Sequence, residues 1–393
     1  MYLLSYTMKQ DSFFFIIMKK ILYYIIISIL SCLIFACKER SGTNLRSDDT
    51  VKKETLTVNI GNQNKTLIFN FAPIEKLYDM RIWKKIRIKQ KIKIGSINNE
   101  TFFFPCRIRL DENDNIYVLD IKDYSVKMFN NQGKFIKKFG KEGQGPGELV
   151  NPFDFDVYPN GMVVILGVND NKLVVFDNNN FIDIKTTLMP MRVCFKSTNE
   201  IITFQIFDPL NSTPLKSINI VDKKITDFQN LLSKKSFNGK DYGLLPFLFG
   251  DIHRYKLNNL VYVSAILGYV VVFDDNGKIK KVFKLLDKVV ESITSKREIK
   301  DGELQMIAFP KQKEYLINSS NVFNDYLYTV SNQAKRKSNE FVIDVYSLSK
   351  GSYEYSFILN NKEKFIEGFF TDREIYIAQE NTEVVVFEYS LID

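Results

Sequence analysis

The chain has 393 residues, 45% of them hydrophobic and 14% aromatic, and 54 lysines and arginines against 46 aspartates and glutamates give a net charge of +8. Its cations are scattered among acids, as in the stretch KFIKKFGKEGQGPGE, so solvated strand faces explain the bias and no nucleic-acid surface is expected. With 33 Phe and 20 Tyr the composition points to a large β-rich core, and a single histidine rules out a His-rich zinc centre.

The first element is an export signal. Lys19 and Lys20 follow Met18, a long apolar run ends at Ala36-Cys37, and Lys38, Glu39 and Arg40 come next. A basic start, an apolar middle and a small residue before the cut are the features of a secretory signal. Residues 1–17 add a second apolar patch of no use to it, so Met18 is the expected start. A cysteine just after the cut resembles a bacterial lipobox, which implies lipidation at Cys37. Cys32 is the rival site, but the apolar run continues past it through Phe35. An uncleaved anchor is the alternative, because 21–36 falls only a little short of a spanning helix of roughly 20 residues. The expected layout is a signal peptide at 1–36, a lipidated polar tether at 37–54 and a folded domain at 55–393. Without 1–36 the net charge is +6.

From Thr55 onward the chain reads as strand after strand. Only Asp287–Ile299 has helical periodicity, and a short surface helix is expected there. A two-strand unit recurs: 116–120 with 125–129, 162–166 with 172–176, 260–264 with 269–273, 326–330 with 342–346, and 374–378 with 383–387. A weaker copy lies at 201–205 with 215–221. Such spacing fits one four-stranded blade per unit. The turns after Phe129, Phe176 and Phe273 place Asn, Asp or Gly at matching offsets, as tight hairpins require.

Blade one and its exit, with Asp120, Phe129, Gly133, Phe139-Gly140 and the run Gly143–Glu148, resemble an NHL-type repeat. The chain is thereby similar to the NHL-like six-bladed β-propeller lipoproteins of Gram-negative bacteria. The resemblance implies an all-β, six-bladed propeller and a place in the outer membrane, at the cell surface or the periplasmic face. The glycine-rich exit lacks the Lys-Ser/Thr of a phosphate loop and is expected to be a structural crossing. The last unit leaves no residues for a fourth strand, and an unpaired edge is a liability. TLTVNI, TLIFNF and KKIRIKQKIKI are placed to fill that gap, so an N-terminal strand is expected to close the ring.

Chemistry is less legible. Alternation puts Arg107, Arg109, Asp154, Asp156, Arg192, His253 and Glu367 at similar places on inner strands, as a charged funnel for a ligand or as inter-blade salt bridges. No catalytic set is readable, and nothing near His253 in sequence suggests a nucleophile. Six-bladed relatives include calcium-dependent lactonases and a zinc-dependent peptide lyase. No cofactor is expected here, although an Asp/Asn calcium site stays open. Cys106 and Cys194 read as small buried side chains, with a disulfide allowed. The insertions at 229–248 and 287–314 break the blade rhythm. The first carries Lys234, Lys235, Lys240, Tyr242, Phe247, Leu248 and Phe249, suited to partner contact or to packing back on the propeller. The resulting expectation is a membrane-tethered extracytoplasmic module that binds a protein, peptide or glycan. The alternative is a propeller-type hydrolase or lyase with a divalent metal in its channel.

Overall fold

The computed structural model describes residues 53–60, 63–74, 80–95, 102, 104–168, 171–186, 190–205, 213–233, 247–256, 258–289, 294–300, 303–308, 311–334 and 339–392. Met18, Cys32, Cys37, Lys234, Lys235, Lys240 and Tyr242 lie outside them. Six four-stranded antiparallel sheets form blades one to six, at 105–139, 152–185, 190–229, 250–284, 317–360 and 365–392. Their first strands are Pro105–Leu110, Pro152–Val157, Pro190–Ser197, Gly250–Tyr255, Ile317–Phe323 and Phe365–Phe370. Each neighbours the first strand of the next blade, and the sixth returns to the first. The fold is a six-bladed β-propeller with these strands around its axis.

The core is divided among the blades. Tyr117, Leu119, Phe139, Phe155 and Val163 pack between blades one and two, and Val164, Leu173, Val193 and Ile201 between two and three. Comparable clusters occupy the remaining four seams. Because strand residues alternate between faces, each sheet buries both sides, one against each neighbour. That explains the near-continuous apolar runs at 116–119, 163–166 and 270–273. Every blade therefore depends on two others for its burial.

The hairpin signals are physical. Asn130 Oδ1 accepts the amides of Gln132 and Lys134 at 3.1 and 2.8 Å, and Asp274 Oδ1 those of Asn276 and Lys278 at 3.0 and 2.9 Å. The glycines between them, Gly133 and Gly277, have φ of 80° and 76°, where a side chain would be strained. In the glycine-rich exit, Glu148 Oε2 accepts the Gly145 amide at 2.8 Å and Asp183 of blade two accepts that of Gly147 at 3.2 Å. Those donors are used within the fold, and a strand rather than a helix follows.

Three expectations need correction. Thr294–Lys300 is a strand, not part of a helix, and it forms a hairpin with Glu303–Ala308. Its neighbours on both sides, Thr55–Ile60 and Glu303–Ala308, supply the pairing that overrides the weak helical period. TLTVNI and the strand after it do not lie on blade six. Thr55–Ile60 and Gln63–Ile68 pair with each other, and the first also pairs in parallel with Thr294–Lys300. Glu54 belongs to the fold rather than to the tether, because its Oε1 accepts from Tyr269 Oη at 2.7 Å and Lys284 Nζ at 2.6 Å.

The N-terminal segment then runs around the outside of the ring as a strap. Val58, Leu67, Phe69 and Phe71 complete the seam between blades three and four together with Leu231, Leu232, Phe247 and Leu248. The described apolar residues of the 229–248 insertion thus pack onto the propeller. Further on, the Ile74 amide donates to the Val282 carbonyl on blade four, the Lys84 amide donates to the Ser356 carbonyl on blade five, and the Ser356 amide donates back to the Ile82 carbonyl, each at 2.8 Å. Arg81 donates to Asp344 at 2.9 and 2.8 Å and to Asp287 at 2.6 Å. Finally Lys85–Ile94 is the fourth strand of blade six, paired with Glu383–Ile392 from Val384↔Ile94 to Ile392↔Lys85.

Candidate functional site at the central channel

The inner-strand polar residues form a belt that crosses every seam. Arg107 and Arg109 share one face of the first blade. Arg107 Nε lies 3.0 Å from Asp154 Oδ1 on blade two, and its Nη1 lies 3.2 Å from Glu367 Oε2 on blade six. The Asp154 contact is off the hydrogen-bonding angle, so it is an ion pair only. Arg109 adds Glu367 at 3.4 Å and Asp156 at 3.8 Å. Asp154 and Asp156 accept the amides of Val193 and Phe195 on blade three at 3.0 and 2.8 Å. Arg192 donates to Asp251 of blade four at 2.7 Å, and its guanidinium stacks on Phe249 at 4.5 Å. Asp251 accepts from Ser320 of blade five at 2.9 Å. Asn321 bonds the backbone of Phe370 on blade six in both directions, at 2.8 and 3.0 Å.

The six residues singled out in the sequence, with Glu367, therefore meet around one axis, and their charges are spent largely on one another. Burial raises the carboxyls of Asp156 and Glu367, opposed by Arg254 and Arg109 on the first and by Arg107 and Arg109 on the second. Burial also works to raise Asp251, but Arg192 and Arg107 overcome it and hold this carboxyl well below the usual range. Sequence reasoning missed Ser320, Asn321 and Arg254. The serine and asparagine carry no charge, and only the blade register identifies them.

His253 has a serine beside it after all, with Nε2 2.8 Å from Ser320 Oγ. Proton order decides what this pair can do. Ser320 gives its hydrogen to the ionised Asp251, so His253 Nε2 must donate to Ser320 and cannot act as its base. A catalytic triad needs the reverse order. Burial holds the imidazole neutral, with its pKa lowered to about 3. A depressed histidine contributes stability above its unfolded pKa that is lost as pH falls toward the folded one. Between about pH 6.5 and 3, His253 is expected to remove roughly 1.4 kcal/mol per pH unit. Urea unfolding of His253→Gln across that window should show a flatter acid limb than wild type. Equal slopes would count against a neutral buried histidine.

Cys106 and Cys194 are both free, on blades one and three, and burial raises both thiols. Among the described residues no group of three or more His, Cys, Asp or Glu is arranged to hold a metal ion. The open space lies at one end of the belt, where the first strands finish. A cavity of about 630 Å³ is lined there by residues of blades one, two, four, five and six, among them Leu110, Tyr158, Arg254, Phe323 and Phe369.

Residues 105–243 match the model of a family described as a 6-bladed beta-propeller, DUF5128. No curated protein matches the chain in sequence. Similar solved structures include a DUF4221 family member from Bacteroides vulgatus, at 12% identity over 79% of this chain and 99% of that one, with a TM-score of 0.52. A candidate exported protein of Bacteroides fragilis is 10% identical over 79% and 99%, with a TM-score of 0.51. Virginiamycin B lyase from Staphylococcus aureus is 13% identical over 77% and 99%, with a TM-score of 0.48. The first two share the fold.

Proposed function

We propose that this is an exported, lipid-anchored propeller of the NHL-like kind that binds a protein, peptide or glycan partner at the mouth of its channel. The observation that carries the reading is the division of labour along the axis. The belt beneath is paired across each seam, while the cavity of about 630 Å³ above it is lined by side chains from several blades. A pocket of roughly 300–1,000 Å³ with a few convergent polar groups in apolar walls is the usual form of a ligand site. The proton order at Ser320 and His253 supports binding over hydrolysis. The basic, apolar and small-residue pattern before Cys37 supports export and anchoring, with the protein at the outer membrane.

The test uses full-length protein in its own membranes. A photo-crosslinking amino acid replaces Asn324 at the mouth or Phe135, which is 50% exposed on the outer strand of blade one. Discrete adducts from position 324 but not 135 are expected. Adducts from 135 alone, or from neither position, would reject the mouth as the binding site. In the same strain Cys37→Ser should abolish lipid labelling, and retained labelling would exclude Cys37.

A further inference from the structure

Resting on that reading, we propose that the mouth cavity selects a carboxylate carried on an apolar or aromatic body, with the Arg254 guanidinium as its anion contact. Arg254, next to last in the first strand of blade four, lines the cavity and lies over the Tyr158 ring at 4.7 Å. The stacking fixes the plane of the fork before any ligand arrives. Its Nη1 is buried and has no hydrogen-bond partner among the described residues. Nη1 is closed off from the cavity on the side of Asp156, whose ionised form the guanidinium favours, so an incoming anion meets the part of the guanidinium that lines the cavity.

Two of the three lining acids are already engaged. Asp325 accepts the hydroxyls of Tyr255 at 2.6 Å and Ser347 at 3.0 Å, and it pairs with Lys256 at 3.5 Å. Asp111 accepts the amides of Asn113 and Asn115 at 2.9 Å, Asn115 Nδ2 at 2.8 Å and Tyr117 Oη at 3.1 Å. Asp156 lies close enough for Arg254 to favour its ionised form, yet its Oδ2 is turned to the Phe195 amide. Asp111 and Asp325, spent on these partners, compete little for the guanidinium on the cavity side.

The walls set the rest of the ligand. Leu110, Pro159, Val322, Phe323 and Phe369 give the cavity an apolar lining beside the guanidinium. A guanidinium fork matches the two oxygens of a carboxylate or a phosphate. A phosphate dianion would bring a second charge and more acceptors, and the acids Asp111, Glu112 and Asp325 on the same wall oppose it. A monoanionic carboxylate beside a hydrophobic group fits both features. It could belong to the C-terminus of a peptide or to a free carboxylic acid.

Two probe pairs test this by titration calorimetry on the mature protein. The first is acetyl-Ala-Ala-Phe with a free carboxylate against the same peptide as its carboxamide. The second is 3-phenylpropionate against 3-phenylpropionamide. In at least one pair the acid is expected to bind tenfold or more tightly than the amide, and Arg254→Gln should abolish that preference. Arg254→Lys should keep the preference in weakened form, since charge remains while the fork is lost. Preference within the peptide pair alone identifies a chain end as the source, and preference for phenylpropionate alone a small acid. Equal binding of acid and amide, no binding of either acid, or a preference that survives Arg254→Gln would each overturn the proposal. Adducts at position 324 without any acid preference would leave the binding module standing and remove only its carboxylate selectivity.

Discussion

Replacing Arg107 with alanine is expected to cost about 3–5 kcal/mol of folding stability, a large share of the roughly 5–15 kcal/mol available to a typical fold. Arg107 stands between Asp154 and Glu367, whose side chains are only 1% and 10% exposed. Its loss leaves two buried carboxylates facing each other across the space the guanidinium filled. That is a worse state than the absence of all three groups, because each anion keeps its desolvation cost and loses its nearest cation, with only Arg109 left at 3.4 Å from Glu367 and 3.9 Å from Asp154. Urea unfolding measures the effect, and a loss below about 1 kcal/mol would show that water reaches the belt and screens it. A cycle with Glu367→Gln should recover part of the loss by removing one stranded charge. For the same reason, alanine at Arg107, Arg109 and Arg192 together should abolish folding, so this triple variant cannot report on ligand capture.

Deleting residues 55–95 is the second large effect. It strips the outer strand from blade six, removes Val58, Leu67, Phe69 and Phe71 from the seam of blades three and four, and leaves Asp344 and Asp287 without Arg81. Four apolar side chains at about 1.5–3 kcal/mol each already approach the whole stability of a typical domain. The truncated chain should show no cooperative melting transition by calorimetry, while deletion of 38–52 should leave the transition near that of wild type. Similar transitions in the two deletions would mean that the ring stands without its strap. Adding a peptide of residues 80–95 should partly restore the transition, since it can pair with the edge of Glu383–Ile392 as an added strand.

The blades were legible because their signal is local. The repeated pairs are the second and third strands of each sheet: 116–120 and 125–129 coincide with Ile116–Asp120 and Ser125–Phe129, and the other pairs fall within a few residues at their ends. Alternation, β-branched residues and turn chemistry act within ten residues of one another, so one sequence displays them. The belt was legible only as a set of positions. Arg107 and Glu367 are partners separated by 260 residues, and nothing in either neighbourhood encodes the pairing. Of the strap, KKIRIKQKIKI takes its expected place on blade six, whereas TLTVNI, which fits an edge there equally well, pairs at 294–300. Ser320 is inconspicuous because a hydroxyl within INSSNV is ordinary. Arg254 is inconspicuous because the cavity it lines exists only where five blades converge.

The order of fastenings along the strap has a mechanical consequence. A pull on the chain from its N-terminal side first meets the bonds of Glu54 to Tyr269 and Lys284, then the hairpin and the Asn70 amide held by Leu231, then Arg81 between its two aspartates. Only after these yield does tension reach Lys85–Ile94, the strand on which blade six depends. A force applied at the N-terminal end would thus be borne in turn by fastenings on blades four, three and five before it loads the joint of the ring.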